Sequence, residues 1–158
     1  MATLPQLIED DMGRLDTVLR EFVAQADAVA ALLIDKGGFL IAHQGEAGDL
    51  DFTTIGALAS GAFMANQTIA ALVNEKDFNS MYQQGETSSL FVVNVDENCL
   101  LVVIFKSPTG IGAVKYFAAG ATAGLARQLA VAADRAPGRG FDLSELNVAN
   151  PQELFRKK

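Results

Sequence analysis

Ala30-Ala31-Leu32-Leu33-Ile34-Asp35-Lys36-Gly37-Gly38-Phe39-Leu40-Ile41-Ala42 is the stretch on which the fold turns. Two apolar runs, Ala28 to Ile34 and Phe39 to His43, flank the glycine-containing turn Asp35-Lys36-Gly37-Gly38, which is the pattern of a β-hairpin. The first run shows no alternation of apolar and polar side chains. Such a strand has no face for water and belongs in the middle of a sheet. A sheet interior of this kind needs cover on both faces, and the sequence around the hairpin offers it as helices.

Upstream, Thr3-Leu4-Pro5 has a hydroxyl and a proline suited to a helix start, and Leu7, Ile8, Met12, Leu15, Val18, Leu19, Phe22 and Val23 follow at helical spacing. The sequence therefore predicts an amphipathic helix from about Thr3 to Ala26, with Asp10, Asp11, Arg14, Asp16, Arg20 and Glu21 on its wet side. Glu9-Asp10-Asp11 at its start suits the helix dipole better than a metal site.

Downstream of the polar loop Gly45 to Asp51, the segment Phe52 to Asn74 runs 23 residues without a charge. Asp51, Thr53 or Thr54 can cap it. Ile55, Leu58, Ala62, Ala65, Ile69 and Leu72 recur at three and four and are expected to face the core. Gly56, Ser60, Met64, Gln67 and Ala71 form the opposite stripe, and exposed helix surface normally carries Lys and Glu, so these small uncharged residues are read as a docking face. A membrane span is disfavoured, because two glycines, Ser, Asn, Gln and three threonines dilute the segment below the roughly 20 apolar residues that lipid demands.

Phe78 to Gln84 is expected to be a short strand, and Ser88 to Val95 and Cys99 to Lys106 a second hairpin around Asp96-Glu97-Asn98. An alanine-rich helix from Ile111 to about Ala133 follows, with Val114, Phe117, Ala118, Ala121, Leu125, Gln128 and Leu129 along one side. The expected fold is α/β (α+β): a single, mostly antiparallel five-stranded sheet with helices on both faces, in the order α-β-β-α-β-β-β-α. Residues 1–135 form one domain. Residues 136–158 form a linker, Ala136 to Gly140, and a tail with apolar clusters Phe141/Leu143/Leu146 and Leu154/Phe155, which can dock on a partner.

Composition narrows the function. The net charge is −7, and no basic cluster interrupts the acidic balance before Arg156-Lys157-Lys158, so nucleic acid and anionic membrane are poor partners. The single histidine, His43, has no acid-plus-nucleophile pattern around it, and the single cysteine, Cys99, sits in an apolar run as a small buried hydrophobe. No metal-ligand spacing occurs, and neither Gly110-Ile111-Gly112 nor Asp35-Lys36-Gly37-Gly38 completes a phosphate-binding motif, so no cofactor is expected. No leader-like segment opens the chain, which predicts a cytosolic protein.

The hairpin words quoted above, then Thr54 to Leu72, then Leu100-Leu101-Val102-Val103-Ile104-Phe105 before Gly110-Ile111-Gly112, resemble in order and spacing the Roadblock family of dynein-light-chain-like domains over residues 5–134. Within it the chain is most similar to the bacterial MglB branch. The resemblance implies a homodimer in which the second helices pack together, and a Ras-like, MglA-type GTPase in its GTP form docking across that dimer. It implies a GTPase activator without catalytic residues, which reorganises the GTPase's own active site, with roles in cell polarity or motility and a place in the cytoplasm at a cell pole. The implied interface comprises Gly56, Ser60, Phe63, Met64, Gln67 and Ala71, with Leu154 and Phe155 of the tail as a second contact. A dimeric scaffold without activating function and a small-ligand sensor are the competing classes.

Overall fold

In the computed structural model, which describes residues 4–135, the chain folds as α1 (Glu9–Ala26), β1 (Ala30–Asp35), β2 (Leu40–Gly45), α2 (Phe52–Leu72), β3 (Ser80–Gln83), β4 (Ser88–Asn94), β5 (Cys99–Lys106) and α3 (Ile111–Arg135). The five strands make one sheet in the order β2-β1-β5-β4-β3, and every pairing is antiparallel. Sequence reading and structure agree on the order of elements, the five strands and the helices on both faces.

β1 lies inside the sheet, where the absence of a polar face demands it. Ala30 through Ile34 are fully buried, and side-chain alternation divides them between two cores. Ala31 and Leu33 join Leu101, Val103 and Phe105 of β5 under α1 and α3, against Leu15, Leu19, Phe22, Leu125 and Leu129. Ala30, Leu32 and Ile34 join Leu100, Val102 and Val92 under α2, against Phe52, Ala59 and Phe63. Two helices thus cover one face of the sheet and a single helix covers the other.

β2 ends at Gly45, which pairs with Ala30 at φ +113°. A methyl group there would run into the Val29 carbonyl oxygen, so both the backbone angle and the space call for glycine. Cys99 is fully buried at the start of β5, and burial pushes its thiol above the ordinary range, away from the reactive thiolate.

The first helix starts later than its sequence suggests. Leu4 to Ile8 are not helical, Leu4 is buried in the core, and α1 begins at Glu9; Thr3 lies outside the described residues. The helix start is set by Asp11 instead of by a hydroxyl before Pro5. Its carboxylate, at the third helical position, accepts a hydrogen bond from the Ile8 amide at 2.9 Å. The same fully buried carboxylate accepts from Gln128 Nε2 at 2.7 Å and from both terminal nitrogens of Arg135, at 2.7 and 2.9 Å. One side chain therefore caps α1 and ties it to the last turns of α3.

Candidate functional site

α2 is the element on which the functional reading rests, and it departs from the sequence expectation: most of the stripe expected in the core is exposed, and Gly56 and Ser60 of the expected docking stripe are buried. Asp51 caps the helix, its Oδ1 accepting from the Thr54 amide at 3.1 Å and its Oδ2 from the Thr54 hydroxyl at 2.6 Å, contacts that hold this carboxyl below the usual range. From that start, Phe52, Gly56, Ala59, Ser60, Phe63 and Ala70 turn toward the sheet and are buried. Three of the six residues expected at an interface, Gly56, Ser60 and Phe63, are therefore inside this domain, and a fourth is occupied.

Each has a local reason. A Cβ on Gly56 would stand 3.0 Å from Cγ2 of Ile34, so glycine lets α2 settle close on β1. Ser60 Oγ donates to the Lys36 carbonyl oxygen at 2.6 Å and fastens the helix to the β1–β2 turn. Phe63 fills the smaller core between α2 and the sheet. The fourth, Gln67, is half-buried and hydrogen-bonds twice to the backbone of Phe78: its Nε2 donates to the Phe78 carbonyl at 2.7 Å and its Oε1 accepts from the Phe78 amide at 3.1 Å. It holds the segment leading into β3 as a neighbouring strand would.

Met64 and Ala71 do reach the surface, on one flank of the helix. Met64 lines a recess of about 350 Å³ between α2 and the segment that leads into β3, with Lys36, Gln67, Asp77 and Phe78. The opposite flank carries what sequence reading assigned to the core. Leu58 is 70% exposed, Leu72 78% and Ile69 48%, with Ala62 and Ala65 exposed between them; of that stripe only Ile55 packs on the core. Leu58, Ala62, Ala65, Ile69 and Leu72 repeat at four, three, four and three, the spacing of a seam between two helices, and the alanines in the middle allow close approach. Val73, also exposed, extends the patch by one residue. By length and composition α2 could cross a membrane, yet one side of it is packed on the sheet.

A signal that sorts the two stripes is present in the chain. Phe52 and Phe63, the bulkiest side chains of α2, share the buried face, and the outer stripe lies to one side of them. Elsewhere, His43, exposed on β2, makes an edge-to-face contact with the buried Phe52 at the start of α2, ring centroids 5.2 Å apart. Among the described residues no group of His, Cys, Asp and Glu is arranged to hold a metal ion. Leu154 and Phe155 lie outside the described residues.

A surface of this kind is suited to holding another protein. A sequence model of the Roadblock/LC7 domain matches residues 14–105. MglB of Myxococcus xanthus is similar in structure, with a TM-score of 0.75 and 27% identity over 80% of this chain and 96% of that one. The gliding protein MglB of Thermus thermophilus gives a TM-score of 0.75 and 30% identity, covering 83% of this chain and 99% of that one. An MglB with a tetrameric arrangement gives 0.76 and 30%, covering 84% and 99%. A search of curated protein sequences finds no match.

Proposed function

Since the chain belongs to the Roadblock/LC7 family, we propose that it is a homodimeric regulator of a small Ras-like GTPase of the MglA type, acting as a GTPase activator in the cytoplasm. The observation that carries the reading is the exposed stripe Leu58, Ala62, Ala65, Ile69 and Leu72 on α2. An apolar surface of this size on a helix of seam-like spacing is suited to a second copy of itself, with the two α2 helices lying against each other. The similarity to MglB proteins, one of them described as having a tetrameric arrangement, supports self-association.

Pairing through Leu58 and Ile69 would leave the other flank of each α2, with Met64 and Ala71, available to the GTPase. Of the residues first assigned to the interface, these two keep that role in the proposal. Gly56, Ser60, Phe63 and Gln67 shape and hold the helix that presents them. The described residues carry no group that needs to act on the nucleotide in this mechanism: a regulator that prefers one conformation of the GTPase shifts its population by that difference in affinity, and the chemistry stays with the GTPase's own residues and Mg²⁺.

Single-turnover GTP hydrolysis by the MglA-like GTPase of the same genome, with and without this protein, tests the reading. Acceleration that is lost in Met64→Arg, with the fold and the oligomeric state intact, supports an activator working through this flank. Binding of the GTP form without acceleration would make the protein a scaffold or effector instead, and no binding would remove the GTPase from the account.

A further inference from the structure

α1 and α3 run antiparallel over the larger core, and an open groove lies between them. It measures about 510 Å³ and its floor is apolar, made by Val18, Phe22, Phe117 and Ala121 with Gly120 and Gly124. A Cβ on Gly120 would meet nothing within 4 Å. Tyr116 stands at one end, 76% exposed, and Glu21 and Arg127 mark the rim. The GTPase reading uses none of these residues, because α2 covers the other face of the sheet.

We propose that this groove is the intramolecular docking site of the chain's own C-terminal segment, residues 136–158. Three observations favour that occupant. First, the segment starts where the groove's own helices are clamped together: Arg135, the last residue of α3, is bonded to the buried Asp11 of α1. Second, the length suffices. Returning from Arg135 to Gly120 covers about 22 Å along the helix, and the 23 residues that follow Arg135 span roughly 75 Å when extended. Third, the chemistry matches. Phe141, Leu143, Leu146, Leu154 and Phe155 supply apolar side chains for a floor that is itself apolar.

The protein alone suffices for the test, so its outcome does not depend on the GTPase reading. Cys99 is buried, and a spin label can therefore be placed selectively at Ser144→Cys. The expected result is loss of amide signal intensity at Val18, Phe117 and Gly120 with no loss at Leu58 or Ile69, and recovery of those intensities when Gly120→Arg fills the groove. Broadening on the α2 face only, no broadening at all, or broadening that persists in Gly120→Arg overturns the proposal. Broadening of an isotope-labelled, untagged chain by a spin-labelled, isotopically silent one assigns the tail to a second copy and likewise overturns docking within one chain.

Discussion

Asp11 shows how much one carboxylate can organise. It is fully buried, yet four hydrogen bonds reach it from Ile8, Gln128 and Arg135, and Arg135 brings the compensating charge from a side chain that is 37% exposed. The Arg135 guanidinium, opposed by burial and helped by the Ile8 amide and Gln128, holds the Asp11 carboxyl well below the usual carboxylate range. A folded-state pKa below the unfolded one adds stability that is present in full above the unfolded value, about 3.9, and is lost as the pH falls toward the folded value. Asp11→Asn is expected to cost about 1–3 kcal/mol at neutral pH. In urea melts the difference from the native chain should stay constant from about pH 7 to 5 and shrink below about pH 4; a difference that does not change with pH would separate the cost from ionisation. The sequence points to this residue only weakly. Three acids at a helix start look alike until the last turn of α3 is folded against one of them.

At the scale of an element, α2 shows where reading a sequence stops. Its existence, cap and lack of charge are plain, but an uncharged helix has no polar side to mark which apolar stripe meets water. The spacing rule chose the stripe rich in Leu and Ile, whereas the sheet takes the one that contains both phenylalanines and the small residues that let the backbone come close. Packing of size against space decided the matter, and periodicity cannot see that. Because Leu58 and Ile69 are exposed within the monomer, Leu58→Asp and Ile69→Asp should change its stability by only about 0.5 kcal/mol, while the dimer of the proposal should fall apart to a single 16.7 kDa species in sedimentation or light scattering. A variant that stays dimeric moves the contact to another surface.

For the molecule as a whole, the order of elements along the chain, the buried inner position of β1 and the two-sided helical cover were all legible, because long apolar runs and turn residues report on the sheet directly. The start of α1 was not, since Pro5 suits the first turn of a helix but is no evidence that one begins there. An obligate dimer ties folding to concentration. If α2 pairs with α2, the melting temperature of the native chain should rise with protein concentration and that of Leu58→Asp should not, which thermal scans across a dilution series will decide.

The placement of β1 has a further consequence, for the order of events during synthesis. Ala30 pairs across the sheet with Ile104, so one edge of the apolar strand β1 stays open until β5 has left the ribosome. Its hairpin partner β2 covers only the other edge. Closing that long loop makes folding slow relative to a chain of local contacts, and a half-made chain presents Leu32, Leu33 and Ile34 to any neighbour that will pair with them. Nascent chains paused between β2 and β5 are thus the form of this protein with most need of a chaperone.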